Sequence, residues 1–345
     1  MVRVLLTGGN GFIASHILDV LVHKRYSVAI TVRTKEKGEK VLARYKGHGS
    51  VDISIFVVPD FTVPGAFDDC FANGNAFDAV LHAASPFKYS VTNIQKELLD
   101  PAIVGTKLLL KAIYDHAESV KTVVLTSSFA AILDSYKPNA IPHHTYDASQ
   151  WNPLTKEDAL KDTLNGYRAS KLFAERAAWD FMDTHKPAFS FVSICPTLAF
   201  GPITQPLDGP EALNTSSQRV FNFVKGSCKS QMPDTGVSFF LWIDVRDLAL
   251  AHVKAVELQF AAPESRRYLL TAGYFTNKEV CDIIVRHFGK YKGVLPNSAG
   301  EGGFPEEGVY KFDDEQARNE LKIEYTSLEK SVVDTVNSLE ARGYV

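Results

Sequence analysis

Residues 2–14 read Val2-Arg3-Val4-Leu5-Leu6-Thr7-Gly8-Gly9-Asn10-Gly11-Phe12-Ile13-Ala14, an apolar run, a glycine-rich turn and the start of a helical pattern. The apolar run predicts a short buried strand. Apolar residues at Ile13, Ile17, Val20 and Leu21 recur at helical spacing and predict a helix over 11–24. Gly8 permits a tight turn, Gly11 leaves room for a pyrophosphate to approach the backbone, and Ala14 lets the helix pack close to a sheet. A helix N-terminus in this position offers unpaired N–H groups to an anion. Thr7, Gly8, Asn10, Gly11, Phe12 and Ile13 are therefore candidates for holding a dinucleotide.

Outward from this unit the pattern alternates. Short apolar, β-branched runs at 28–32, 53–58, 77–82, 122–126 and 189–194 predict strands, and 35–45, 94–116 and 165–184 predict helices. Strands of this kind alternating with helices imply an α/β protein with a Rossmann-type, doubly wound parallel sheet. After Pro196 the pattern loosens. Residues 201–217 are rich in Pro, Gly, Asn, Thr and Ser and read as a loop or boundary. Residues 239–256 resume as strand then helix, 293–308 read as a connection, and 327–341 as a last amphipathic helix. The expected division is an NADP-binding Rossmann domain over 1–195, rejoined by about 237–258, and a smaller, discontinuous C-terminal substrate-binding lobe within 196–345.

Composition narrows the function. The chain has 345 residues, 45% hydrophobic and 22% charged, with a formal net charge of -3 and no block of like charges. No basic patch suggests nucleic acid or an anionic membrane as partner. No apolar run approaches the roughly 20 residues of a membrane helix. The glycine-rich turn comes too early for a signal peptide. Cys70, Cys195, Cys228 and Cys281 lack metal-ligand spacing, and the adjacent His143 and His144 do not share a helix face, so no metal site is expected. A cytoplasmic protein with reduced thiols is the expectation.

An NAD-selective fold carries an acidic residue at the end of the second strand. Here Thr31-Val32-Arg33-Thr34-Lys35-Glu36-Lys37 has no carboxylate at the strand end. Arg33, supported by Lys37, suits a 2′-phosphate, which points to NADPH. Asp60 and Phe61 end the third strand, where an Asp can accept from an adenine amino group. Ala83, Ala84 and Ser85 end the fourth with small residues, as close passage of a coenzyme requires. Thr126-Ser127-Ser128 ends the fifth.

Tyr167-Arg168-Ala169-Ser170-Lys171 follows, with Tyr167 and Lys171 on one helix face. An ammonium beside a phenol favours the phenolate and makes the tyrosine a usable acid near neutral pH. A serine at a strand tip can hold a carbonyl oxygen as charge develops on it. Tyr274 and Lys278 repeat the spacing, but Tyr274 is expected to precede its helix and to lie off the Lys278 face.

At these residues the chain resembles the extended short-chain dehydrogenase/reductase family over nearly its whole length. The likeness is carried by Thr7–Ala14, His82-Ala83-Ala84-Ser85-Pro86, Leu125–Ser128, Tyr167–Lys171 and Ile243-Asp244-Val245-Arg246-Asp247. Glu175-Arg176-Ala177-Ala178-Trp179 and Phe200-Gly201-Pro202 are similar to the branch of fungal NADPH-dependent methylglyoxal reductases. That branch is related to plant dihydroflavonol and cinnamoyl-CoA reductases. The resemblance implies that Ser128 polarises a carbonyl, Tyr167 donates the proton, and Lys171 binds the nicotinamide ribose and lowers the Tyr167 pKa. It also implies that Pro196, Thr197 and Leu198 line the nicotinamide, that Ser216 reaches the phosphates, and that Phe87, Phe129, Leu164 and Leu198 line a substrate pocket. Ala102 stands where many members carry an Asn, so a proton relay beyond Lys171 would run through water or backbone.

The expected activity is NADPH-dependent reduction of a small aldehyde or ketone by a monomer or homodimer. Another redox enzyme of the family, such as a hydroxysteroid dehydrogenase or nucleotide-sugar epimerase, and a non-catalytic dinucleotide sensor are the alternatives. Arg33 and the apolar pocket candidates disfavour an epimerase, and the Tyr/Lys pair disfavours a sensor.

Overall fold

The computed structural model describes residues 2–46, 52–72, 74–85, 91–137, 143–235, 240–296 and 302–345. The first half runs β1 (Arg3–Thr7), α1 (Phe12–His23), β2 (Ser27–Val32), α2 (Lys35–Ala43), β3 (Ile53–Val57), α3 (Asp68–Phe71), β4 (Ala79–His82), α4 (Asp100–His116) and β5 (Thr122–Thr126). It continues with β6 (Thr145–Tyr146), α5 (Lys156–Ala159), α6 (Thr163–His185), β7 (Ser190–Pro196), β8 (Leu198–Phe200) and α7 (Thr215–Val224). The last third holds β9 (Leu241–Asp244), α8 (Val245–Ala261), β10 (Arg266–Leu270), β11 (Gly273–Tyr274), α9 (Asn277–His287), β12 (Lys311–Phe312), α10 (Glu315–Leu321) and α11 (Leu328–Ala341).

Seven strands form one sheet in the order β10-β7-β5-β4-β1-β2-β3, and each neighbouring pair is parallel. Strands β2, β4, β5 and β7 are buried along their whole length, which is why they read as continuous apolar runs rather than alternating ones. The winding reverses between β1 and β4, so a crevice opens beyond the carboxyl ends of these two strands.

Helices cover both faces. On one, Ile17 and Leu21 of α1 pack with Leu248 and Val256 of α8 and Leu321 of α10. On the other, Leu109 and Ile113 of α4 pack with Phe77 and Phe191. Beyond Pro196 the chain leaves the sheet, and β8 joins a second, three-stranded sheet in the order β11-β9-β8. Phe200, Trp242 and Phe275 of this region pack with Val220 of α7, Ile284 of α9 and Val336 of α11.

Three local features differ from the sequence pattern. The sequence hides β10, because Arg266 and Arg267 interrupt its apolar character. The helix expected from residue 94 opens with a π-helical turn, Gln95–Leu99, before α4. The polar stretch 201–217 already contains the first turn of α7. Among the described residues, no helix is long and apolar enough to cross a membrane.

Candidate active site

The glycine-rich turn is held through its own main-chain groups. Gly8 has φ +70°, and a Cβ there would lie 3.0 Å from the Ala84 Cα. Its N–H donates to Thr31 Oγ1 at 3.1 Å, and the Gly9 N–H donates to the Thr31 carbonyl at 3.0 Å. Gly11 is the N-cap of α1, in extended conformation, and no side chain caps the helix. The first-turn N–H groups thus lack a side-chain acceptor, as a phosphate site requires. Beneath the turn, Thr7 Oγ1 accepts from the Ala84 N–H at 3.1 Å and pairs with His82 Nδ1 at 2.7 Å. Burial, with the nearby Lys171 charge adding to it, brings the His82 pKa down to about 3, so the imidazole is neutral.

The residues proposed for the adenosine side flank the carboxyl ends of β2 and β3. Arg33 is exposed, and Thr34 caps α2 by accepting from the Lys37 N–H at 3.3 Å. Asp60 Oδ1 accepts from the Thr62 N–H at 2.8 Å and hydroxyl at 2.6 Å. These bonds, the hydroxyl's first, hold the Asp60 carboxyl below its usual range, and the Arg33 charge adds to the effect. Phe61 packs on Gly105 of α4, where any Cβ would collide with its ring. Lys40 Nζ meets Asp208 at 2.6 Å and ties the loop after β8 to α2.

A cavity of about 870 Å³ joins the turn to Ser128, Tyr167 and Lys171. Gly11, Phe12 and Ile13 line one end, followed by Ala83 and Ser85 after β4 and by Thr126, Ser127 and Ser128 at the tip of β5. Leu164, Tyr167 and Lys171 line it from α6, Pro196, Thr197 and Leu198 from the β7–β8 passage, and Ser216 from α7. Asp162 starts α6 by accepting from the Asn165 N–H at 2.8 Å, and Tyr167 and Lys171, four residues apart within the helix, share one face. Ser128 Oγ accepts from the Ala130 N–H at 3.1 Å and caps a 3₁₀ turn over Phe129–Ala131.

Lys171 borders the cavity, yet the atoms around its ammonium exclude enough water to bring its pKa down to about 8. The Glu175 carboxylate opposes that shift, and at neutral pH the ammonium form prevails. Its Nζ donates to the Thr126 carbonyl at 3.5 Å, so its protein partner is backbone, while Ala102 on α4 is buried and offers no polar side chain. Thr126 is fixed in turn. His252 Nδ1 donates to the Leu248 carbonyl at 2.8 Å, which leaves Nε2 to accept from the Thr126 hydroxyl at 2.8 Å. Burial lowers the His252 pKa to about 4.

Phe129, expected in the substrate pocket, does not line the cavity. The 3₁₀ turn that Ser128 caps directs its ring into the core against Tyr146 and Tyr310. Phe87 lies outside the described residues. Tyr274 sits in β11, ahead of the Thr276 cap of α9, as its sequence context suggested.

Other lining residues were not anticipated. Ser127 points its hydroxyl at buried Glu175 on α6, 2.6 Å away, and Glu175 pairs with Arg267 of β10 at 2.7 Å. Gln218, Arg219, Asn222 and Phe223 of α7 and Asp234 line the end away from the glycine turn. The periodic Val220, Phe223 and Val224 were the available signal for α7, masked by the polar residues before them. Among the described residues, no group of three or more His, Cys, Asp or Glu side chains is placed to hold a metal ion.

The family model for the NAD dependent epimerase/dehydratase family matches residues 4–270. A ketoreductase, azaE, from Aspergillus niger is 39% identical over 339 residues, covering 98% of this chain and 97% of the relative. The crystal structure of Gre2 from Candida albicans in complex with NADPH is 36% identical, with a TM-score of 0.88 over 99% of each chain. Yeast methylglyoxal/isovaleraldehyde reductase Gre2, solved with NADPH, is 33% identical, with a TM-score of 0.90 over 99% of this chain and 100% of that one.

Proposed function

Because the chain belongs to the NAD dependent epimerase/dehydratase family, we propose that it is an NADPH-dependent reductase of aldehydes and ketones, from methylglyoxal-like to bulkier carbonyls. The observation that carries this reading is the shared cavity. One continuous space touches the uncapped N-terminus of α1 and the Ser128, Tyr167 and Lys171 side chains. A dinucleotide laid along it would have its phosphates at Gly11, Phe12 and Ile13 and its nicotinamide near Thr197 and Leu198. Arg33 and Lys37 would meet the 2′-phosphate. NADPH supplies the hydride when bound.

The chain's own residues do the rest. Ser128 donates to the substrate oxygen and stabilises the charge that develops there. Tyr167 passes its phenolic proton to that oxygen. The Lys171 ammonium lowers the Tyr167 pKa and binds the nicotinamide ribose, and its own position is set by the Thr126 carbonyl. Substrate enters from the α7 side, where Leu164 and Leu198 give an apolar wall. In this reading residues 1–195, with about 237–258 and the edge strand β10, form the coenzyme-binding domain, Pro196, Thr197, Leu198 and Ser216 add contacts to the coenzyme, and the rest of 196–345 forms the substrate lobe. The enzyme works in the cytoplasm as a monomer or homodimer.

Tyr167→Phe tests the assignment. Turnover of methylglyoxal with NADPH is expected to fall by more than about 100-fold, the usual scale of a lost general acid, with NADPH binding by fluorescence titration unchanged. Retained turnover would remove Tyr167 from the mechanism.

A further inference from the structure

Behind the reactive groups, α6 carries a carboxylate that the reaction as derived does not use. Glu175 follows Lys171 by four residues and Tyr167 by eight, so the three share one helix face. It is fully buried. Its Oε1 accepts from Arg267 Nε at 2.7 Å and its Oε2 from Arg267 Nη2 at 3.2 Å, a two-point pairing from β10. Oε2 also accepts from the Ser127 hydroxyl at 2.6 Å and from the Cys195 thiol at 3.5 Å. Arg267 is fixed as well, donating through Nη1 to the Ala148 and Gln150 carbonyls at 2.6 and 2.5 Å and lying 3.7 Å over the Trp151 ring.

A buried ion pair is a poor device for stability alone, since well-packed apolar residues often do as well. What this one does locally is hold Ser127. That residue lies between the Thr126 carbonyl, which takes the Lys171 hydrogen bond, and the Ser128 hydroxyl, proposed to hold the substrate oxygen.

We propose that Glu175 is a positioning residue for the reduction: through Ser127 it fixes the β5 tip that carries Thr126 and Ser128, and its negative charge faces the Lys171 ammonium from one turn along α6. The proposal rests on the reading of Tyr167 and Lys171 given above. The titratable groups around Lys171 are Glu175 on its own helix, Cys195 on β7 and His82 on β4. Those around Glu175 are Arg267 on β10 and Cys195. Burial pushes the Cys195 thiol up to about 12 and keeps His82 neutral, so among these groups Glu175 supplies the negative charge that Lys171 meets. Without it the ammonium would lose its proton at lower pH, and reduction would fail on the alkaline side sooner.

The test is the pH profile of kcat for methylglyoxal reduction with NADPH in the full-length enzyme, alongside NADPH titration. Glu175→Gln is expected to move the alkaline limb to lower pH by about one unit, roughly a fivefold loss of turnover at pH 8, with NADPH affinity little changed. Glu175→Asp, which keeps the charge, is expected to restore the limb. A merely structural role would lower the amount of active enzyme without moving the limb. A folded Glu175→Gln enzyme with the wild-type profile overturns the proposal. If Glu175→Gln does not fold because Arg267 is left unpaired, Ser127→Ala decides, since it leaves the ion pair intact. A fall in kcat of about threefold or more, the worth of one hydrogen bond, supports the proposal, and wild-type kcat overturns it. Tyr167→Phe run in parallel separates the two ideas. If it stays active, the mechanism itself fails, whereas an inactive Tyr167→Phe beside a wild-type-like Glu175→Gln removes only the positioning role.

Discussion

The two ends of the cavity are made of different material. At the end proposed for the coenzyme the lining comes from the N-terminus of α1, Gly11 to Ile13, with buried threonine–histidine pairs at the nearby strand tips. At the end proposed for the substrate it comes from β8, α7 and the segment to Asp234, packed on a separate hydrophobic cluster. A backbone-built end tolerates little change, because its geometry is the geometry of the turn. A side-chain-built end can be altered residue by residue without disturbing the sheet. The difference explains how one scaffold keeps a coenzyme and varies its substrate.

Acid should break the coenzyme end, and this is the largest effect expected. His82 and His252 have pKa values lowered from 6.5 to about 3 and about 4 by burial. Below pH 6.5 the unfolded chain takes up these protons while the folded one does not, so the folded state loses stability as pH falls. The loss continues until the folded values are reached, at about 1.4 kcal/mol per pH unit for each histidine. Thermal melts between pH 7.5 and pH 5 should show a steep decline. Replacing both histidines with Gln, neutral throughout, should flatten it. An unchanged slope in that variant would place the acid sensitivity elsewhere.

Arg33 sharpens the comparison, because here a side chain, not the backbone, is proposed to serve the coenzyme end. If Arg33 meets the 2′-phosphate as proposed, Arg33→Ala removes a charge-assisted contact worth about 1.5–3 kcal/mol, so KM for NADPH should rise about 10-fold to 100-fold. KM for NADH should not change. Steady-state kinetics with both coenzymes measures the ratio, and a ratio equal to wild type would mean that Arg33 is only a solvated surface charge.

The same contrast governs what was legible in the sequence. The parallel sheet, the glycine turn and the Tyr167/Lys171 pair are local signals: strand-length apolar runs, a strand-to-helix glycine pattern, an i, i+4 spacing. Each is written within about a dozen residues, and each corresponds to a feature of the fold. Arg267 could not be read this way. It sits in a strand its own charge disguises, and its partner Glu175 is 92 residues earlier in the chain. Phe129 failed for a related reason. Its place in the pocket was implied only by the family resemblance, and the 3₁₀ turn after Ser128 carries it into the core. Asn222 and Phe223 line the cavity only because α7 packs on α11 and α9, contacts that no local pattern encodes.

Leu198 offers the smallest and most selective change. It begins β8, pairs in register with Trp242 of β9, and borders the cavity where the chain turns out of the main sheet. Its side chain is partly buried against the cluster behind the substrate end, so shortening it opens space there and leaves the glycine turn untouched. Leu198→Ala should therefore raise kcat/KM for a bulky aryl ketone relative to methylglyoxal by about fivefold, near 1 kcal/mol, the lower range of what one or two methylenes decide in an apolar pocket. NADPH affinity should change far less than substrate preference, because Leu198 is proposed to touch only the nicotinamide, while the phosphates are proposed to rest on the N-terminus of α1, at Gly11, Phe12 and Ile13. Competition between the two substrates in one reaction measures the ratio directly. If Leu198→Ala weakens NADPH binding as much as it alters substrate preference, the two ends are not separable in the way their construction implies, and Leu198 belongs with the nicotinamide wall alone.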